Sequence, residues 1–198
     1  MTKIANRTDD IADICSALQA LPNRLGPGVE SWSTWTTEVR RTLTALGHAK
    51  GYYVAGDVGI GSDWGEWGFD LCWRNYGVGY AKGAKLKGTS LLSVPLACES
   101  EWGDWGAVED DFEKLLQCSA DIRLMISAPK DQAEMDSWNE NLIRGIKKYR
   151  RGAWSDLYVL GSFPSSPWGF FYVVVNGSGE VLGEVAPESL APESLADC

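Results

Sequence analysis

The sequence predicts an α/β fold in which a mixed β-sheet is flanked by helices. Four stretches place apolar residues three and four positions apart, which is the spacing of amphipathic helices. Six others are short runs rich in aromatic, β-branched or other apolar residues, as expected of strands. Their order along the chain is ααβββαβαββ, and this alternation is typical of a sheet covered by helices.

The first two elements are helices with one apolar stripe each. Residues 8–20 open with the capping sequence Thr8-Asp9-Asp10, and their stripe consists of Ile11, Ile14, Cys15 and Leu18. Residues 31–46 follow a turn at Gly26-Pro27-Gly28, and their stripe consists of Trp35, Val39, Leu43 and Leu46. Each stripe predicts a helix face that packs against the sheet.

Three strands are predicted next, at residues 51–56, 67–76 and 91–101. Pro95 lies inside the third strand, although proline cannot donate to a strand ladder. A helix at 107–120, a buried strand at 122–126 and a charged helix at 131–151 follow. Two further strands are predicted at 156–162 and 170–176.

The charge is unevenly distributed along the chain. The 198 residues contain 18 Lys and Arg against 27 Asp and Glu, a formal net charge of −9. Residues 180–198 contain five acids, no base and the tandem repeat APESL-APESL, so we expect an acidic, extended tail. Residues 1–179 are long enough for one α/β domain with its own core.

Composition excludes several classes of protein. Five scattered cysteines without a CxxC pair indicate neither a disulfide framework nor a zinc site. The single histidine, His48, excludes a multi-histidine metal site. The sequence has neither a long apolar run nor a signal-peptide pattern, so we expect a cytoplasmic protein without a membrane span.

Three carboxylates in apolar surroundings are the strongest functional signal. Asp70 is predicted within one strand, and Glu99 and Glu101 share one face of the next. Burying unpaired carboxylates is costly, so we expect a cation among them if the two strands pair. Oxygen ligands without histidine or thiolate favour Mg²⁺ or Mn²⁺.

These stretches, Trp67-Gly68-Phe69-Asp70 and Ala97-Cys98-Glu99-Ser100-Glu101, resemble the motif of the PD-(D/E)XK nuclease superfamily. The resemblance covers residues 31–126 and implies a restriction-endonuclease-like core. It also implies that Asp70 and Glu99 bind metal, with Glu38 as a further ligand. The motif lysine is replaced by Glu101, as in a Glu-x-Glu variant, and Lys114 on the next helix is the alternative catalytic residue.

The segment between the two motif stretches favours contact with a phosphate backbone. It contains no acid from residue 71 to residue 98. Its glycines are interleaved with four basic residues, Arg74, Lys82, Lys85 and Lys87. The near-repeat Asp63-Trp64-Gly65-Glu66-Trp67-Gly68 and Glu101-Trp102-Gly103-Asp104-Trp105-Gly106 flanks the acids. These tryptophans suit core packing, stacking on unpaired bases or binding of a sugar.

The sequence thus predicts a Mg²⁺-dependent (or Mn²⁺-dependent) endonuclease that acts on DNA. Asp70, Glu99, Glu101 and Lys114 are its candidate catalytic residues, and a homodimer would suit cleavage of both strands. The alternative is a catalytically inactive nuclease-fold protein that binds nucleic acid or regulates a partner, since the motif lysine is missing. A carbohydrate-acting protein is a third hypothesis.

Overall fold

A seven-stranded mixed sheet with helices on both faces forms the protein. The computed structural model describes residues 2–26, 31–77, 90–165 and 169–187, with only the backbone for residues 2–6. The helices are α1 (Thr2–Gln19), α2 (Leu21–Leu25), α3 (Trp32–Ala49), α4 (Trp105–Gln117) and α5 (Gln132–Lys148). The strands are β1 (Tyr53–Ala55), β2 (Leu71–Tyr76), β3 (Leu91–Glu101), β4 (Ala120–Ser127), β5 (Leu157–Ser162), β6 (Phe171–Asn176) and β7 (Val181–Val185).

The strands lie in the sheet in their order along the chain. β1, β2 and β3 form an antiparallel meander, and β4 runs parallel to β3 because helix α4 connects them. β5 is parallel to β4 in the same way through α5, and β6 and β7 complete the sheet in antiparallel pairing. The predicted α/β class with a mixed sheet is therefore confirmed.

Two hydrophobic clusters hold the helices on opposite faces of the sheet. On one face, Leu18 of α1 and Leu43 of α3 belong to a core that includes Leu71 and Leu124. On the other face, α4 and α5 form a second core with Met125 and Tyr158. The stripes read from the sequence are the faces that are buried, which is the physical reason that the helix assignments succeed.

The close approach of α3 to β2 requires a glycine in the helix. A Cβ added at Gly47 would lie 2.5 Å from Nε1 of Trp73 and 2.9 Å from Cγ2 of Val54. The Trp73 indole N–H donates a hydrogen bond to the carbonyl of Leu43, 2.9 Å away. Helix α3 therefore packs closely against β2, the strand that follows Asp70.

Two predictions need correction. Residue 180 does not mark the start of a free tail, because Val181–Val185 form β7 and pair with β6. Residues 188–198, which include most of the APESL repeat, lie outside the described residues. Asp70 lies directly before β2 rather than inside a strand. Pro95 does lie within β3, and the pairing of β3 with β2 is irregular between Trp73 and Asn75, beside the proline.

No helix in the described part of the chain combines the length and the apolar composition that a membrane crossing requires.

Candidate functional site

Asp70 and Glu99 meet at one end of the β2–β3 pair. Because Leu71 pairs with Cys98, the residue before β2 lies opposite Glu99 of β3. The backbone N–H of Asp70 donates to Oε2 of Glu99 at 3.2 Å. The strand pairing expected from the sequence is thus present, and it brings these two acidic residues together.

Glu99 is a buried carboxylate, and among the described residues one of its two oxygens accepts no hydrogen bond. The residue is 2% exposed, and its Oε1 is buried and has no hydrogen-bond partner among the described residues. Burial raises the pKa of Glu99 to about 7, and the nearby charges of Asp70 and Asp111 act in the same direction. The hydrogen bond from Asp70 and the charge of Lys114 oppose them. A buried carboxyl group of this kind is stabilised either by binding a proton or by a nearby cation.

Lys114 places a cation close to that oxygen. Its Nζ lies 3.6 Å from Oε1 of Glu99 and 2.5 Å from Oδ1 of Asp111. Helix α4 begins four residues after β3 ends, so its third turn lies back over the strand ends. The hydrogen bond to Asp111 is the largest cause of a raised pKa of Lys114; burial opposes it and Glu99 adds to it. Lys114 is therefore an ammonium donor at this site.

Asp70 is already engaged by two residues that sequence reasoning missed. Arg40 of α3 forms an ion pair with Oδ1 of Asp70 and contacts Glu66 at 3.0 Å. Ser100 donates to Oδ2 of Asp70 from its backbone N–H at 2.9 Å and from its hydroxyl at 2.7 Å. Ser100 lies between the two motif acids in the sequence, but its hydroxyl reaches Asp70 only because β2 and β3 pair.

Glu101 and Glu38 do not join the pair of carboxylates. Glu101 Oε1 accepts the backbone N–H of Gly103 at 2.6 Å and so stabilises the turn after β3. Glu38 forms an ion pair with Arg41 on its own helix. In the described ranges, no three His, Cys, Asp or Glu side chains lie close enough together to hold a metal ion. The expected three-carboxylate cluster is therefore not formed.

The predicted phosphate contacts divide into two groups. Arg74 is 8% exposed, and its guanidinium lies over the rings of Trp64 at 4.4 Å and Trp67 at 5.1 Å. This burial corrects the expectation that Arg74 faces solvent and a phosphate backbone. Lys82, Lys85 and Lys87 lie outside the described residues.

An open cleft of about 450 Å³ lies beside Asp70. Asp70, Ser100, Glu101 and Asp111 line it on the side of the sheet and α4. On the side of α3 its lining residues are Trp32, Ser33, Thr36 and Arg40, and Trp102 and Gly103 complete it. The cleft gives a ligand access to Asp70, which keeps about a fifth of its side chain exposed.

Two carboxylates at this end of β2 and β3 are of the chemical kind that a hard divalent cation takes. Mg²⁺ is commonly held by one or two carboxylates, and water and substrate phosphate supply the remaining ligands. Among the described residues, Oε1 of Glu99 has no hydrogen-bond partner, and the backbone N–H of Asp70 contacts the other oxygen of Glu99. The negative charge of Asp70 is near enough to raise the pKa of Glu99, so Asp70 is the candidate for the second carboxylate ligand. A cation there would offset the cost of keeping Glu99 ionised in a buried position.

No protein-family model matches the chain, and no curated protein matches it in sequence.

Proposed function

We propose that the protein hydrolyses phosphodiester bonds in DNA with Mg²⁺ or Mn²⁺ at the Asp70–Glu99 pair, on a restriction-endonuclease-like fold. The observation that carries the proposal is the buried Oε1 of Glu99, which has no hydrogen-bond partner in the described part of the chain and lies 3.6 Å from the Lys114 ammonium. The sheet supports it: a β-meander followed by a helix and a further strand is the order that the family resemblance implies, and the chain has this order from β1 to β4.

Each residue has a definite part in this proposal. Asp70 and Glu99 hold the divalent ion, which when bound lowers the pKa of water and stabilises charge on the phosphate. Lys114 keeps its proton and donates N–H groups to a phosphate oxygen as negative charge develops there. Lys114 is preferred over Glu101 as the catalytic residue because the Glu101 carboxylate is bound to the turn at Gly103.

The contacts of Asp70 favour a second candidate function. Arg40 and Ser100 together satisfy both oxygens of Asp70, so its charge is neutralised without a metal ion. A protein that has lost catalysis and only binds nucleic acid would have this arrangement. In a competent site, Arg40 would have to release Oδ1 of Asp70 for that oxygen to hold a divalent ion. Calorimetry with Mn²⁺ separates the two: the nuclease binds the ion, and the inactive protein does not.

Nicking of supercoiled plasmid is the test of the nuclease proposal. The wild type is compared with Glu99→Gln and with Glu109→Gln, a control that changes an exposed carboxylate of α4. In Mg²⁺ or Mn²⁺ the wild type and the control should nick the plasmid, and Glu99→Gln should be slower by about 100-fold or more.

Folding and contamination are controlled in the same experiment. Circular dichroism and thermal unfolding show whether Glu99→Gln keeps the native structure. The double variant Asp70→Asn/Glu99→Gln, purified in parallel, reports any contaminating nuclease. Equal rates for the wild type and the double variant, or no nicking by the wild type in either metal, would overturn the proposal.

A further inference from the structure

Two tryptophans form a stack at the rim of the cleft. The rings of Trp32 and Trp102 are nearly parallel, with an angle of 11° between their planes and 5.3 Å between their centroids. Trp102 is almost buried at 9% exposure, whereas Trp32 is 44% exposed. Both line the cleft that contains Asp70 and Ser100. The pair therefore places an exposed aromatic surface beside the candidate metal ligands.

Hydrogen bonds and ring contacts hold the Trp102 side of the stack in place. The Trp102 indole N–H donates to the Thr36 hydroxyl at 2.8 Å, and the Thr36 hydroxyl donates to the carbonyl of Trp32 at 3.2 Å. The Trp102 ring also contacts Trp35, 6.2 Å away between centroids, and Trp35 is 1% exposed in the core. These contacts hold the Trp102 ring in place, and the Trp32 side chain stacks on it, so Trp32 presents its outer face with less entropy to lose when a further ring stacks there.

The position of Trp32 defines what it can contact. A ligand whose phosphate reaches Asp70 occupies the same cleft as the Trp32 ring. The group attached to such a phosphate in nucleic acid is a nucleoside, and its base has a flat aromatic face. In a duplex both faces of each base are already covered by neighbouring base pairs, so only an unpaired or unstacked base can lie on the tryptophan.

We infer that Trp32 is a stacking platform for an unpaired base next to the scissile phosphate, and that the substrate is single-stranded or locally unpaired DNA. The inference rests on the proposed function, because it names the form of that substrate. It assigns a role to the first tryptophan of α3, which is not part of either Trp-Gly repeat. Trp102 supports Trp32 as a positioning residue and does not contact the base.

Binding of a fluorescent base analogue tests the inference. The probe is a 12-nucleotide DNA strand with 2-aminopurine at a central position, used alone and annealed to its complement. It is titrated with the full chain in EDTA and in Mg²⁺, and a gel confirms that the strand is intact when the emission is read. Stacking on an indole changes the 2-aminopurine emission, which a purely structural role of Trp32 would not do.

Three variants make the result specific. Trp32→Leu keeps an apolar cover over Trp102 but removes the aromatic face, and it should weaken binding of the single strand by about 5- to 150-fold. Trp32→Phe keeps an aromatic face and should recover most of the affinity. Trp154→Ala is the matched control, because Trp154 is 70% exposed and does not line the cleft; it should bind like the wild type.

The outcomes separate this inference from the proposed function. Equal binding of single strand and duplex, with no effect of Trp32→Leu, overturns the stacking role even if Mg²⁺-dependent cleavage is present. Trp32-dependent binding and 2-aminopurine stacking without any cleavage support the stacking role and overturn only the hydrolysis. Tryptophan emission that responds to an oligosaccharide such as cellohexaose, but not to the DNA strand, overturns the inference in favour of a sugar site.

Discussion

The ionisation of Glu99 should make the stability of the metal-free protein depend on pH. Burial and two neighbouring carboxylates raise the pKa of Glu99 from 4.5 to about 7 in the folded state. The unfolded chain loses this proton near the ordinary value, whereas the folded protein keeps it until about pH 7. The folded state is therefore destabilised, relative to the unfolded state, as the pH rises from about 4.5 to beyond 7.

The size of the effect follows from that difference in pKa. One pKa unit corresponds to about 1.4 kcal/mol, so the ionisation of Glu99 should lower the free energy of unfolding by about 3 kcal/mol over this range. Substitution by glutamine removes the ionisation while keeping the shape of the side chain and an acceptor for the Asp70 N–H. Glu99→Gln should therefore gain about 3 kcal/mol relative to the wild type between pH 4.5 and pH 8.5.

Urea unfolding in EDTA, followed by tryptophan fluorescence at several pH values, measures this difference. Glu109→Gln changes an exposed carboxylate of α4 and should differ from the wild type by a nearly constant amount. Adding Mg²⁺ should reduce the pH-dependent loss of the wild type, because the cation favours the ionised form of Glu99. A difference between Glu99→Gln and the wild type that does not change with pH would refute the reasoning.

Three further predictions concern packing and catalysis. Gly47→Ala should lower the free energy of unfolding by about 1–3 kcal/mol in urea titrations, since its Cβ would lie 2.5 Å from Trp73, whereas Gly145→Ala, with 3.7 Å to Phe112, should raise it by about 0.5–1 kcal/mol. Arg74→Ala should cost about 1–3 kcal/mol by the same titrations because it removes the cation from the aromatic rings; an unchanged midpoint would contradict this. Lys114→Met should slow Mg²⁺-dependent nicking by about 100-fold with little change in the unfolding midpoint, and wild-type rates would contradict its role.

The core helices and strands were predictable because their apolar residues recur at the spacing typical of a buried helix or strand face. The apolar run of β3 predicts the bounds Leu91–Glu101 that the structure has. β7 escaped prediction for the opposite reason: all five of its residues are exposed, and they include Gly183 and Glu184, so no buried face marks the strand. Its pairing to β6 depends on backbone hydrogen bonds, which leave no pattern in the side chains.

The candidate site was predictable in part. The strand acids Asp70 and Glu99 stood out because carboxylates are rare in apolar surroundings. Arg40 did not, although it is the closest cation to Asp70 in α3. The buried stripe of α3 passes through Val39, and Glu38 and Arg40 flank it on opposite sides. The spacing of apolar residues shows which face of a helix is buried. It does not show which residues beside that face lie over the end of the sheet.

The environment of Arg74 is a second feature that the sequence pattern did not predict. A lone cation in an acid-free strand reads as a phosphate contact when only its own segment is considered. Trp64 and Trp67, which cover it, precede its strand and come from one of the Trp-Gly repeats. The sequence contains both parts, but only the tertiary fold shows that the aromatic rings and the guanidinium meet.

The central claim is that Asp70 and Glu99 hold a divalent cation, and crystals of the protein soaked in Mn²⁺ test it most directly. We predict an anomalous difference peak in contact with Asp70 and with Oε1 of Glu99, together with movement of the Arg40 guanidinium away from Oδ1 of Asp70. Glu99→Gln crystals treated in the same way should lack the peak. A wild-type crystal with no peak between the two carboxylates, and with the Arg40–Asp70 ion pair intact, would contradict the claim.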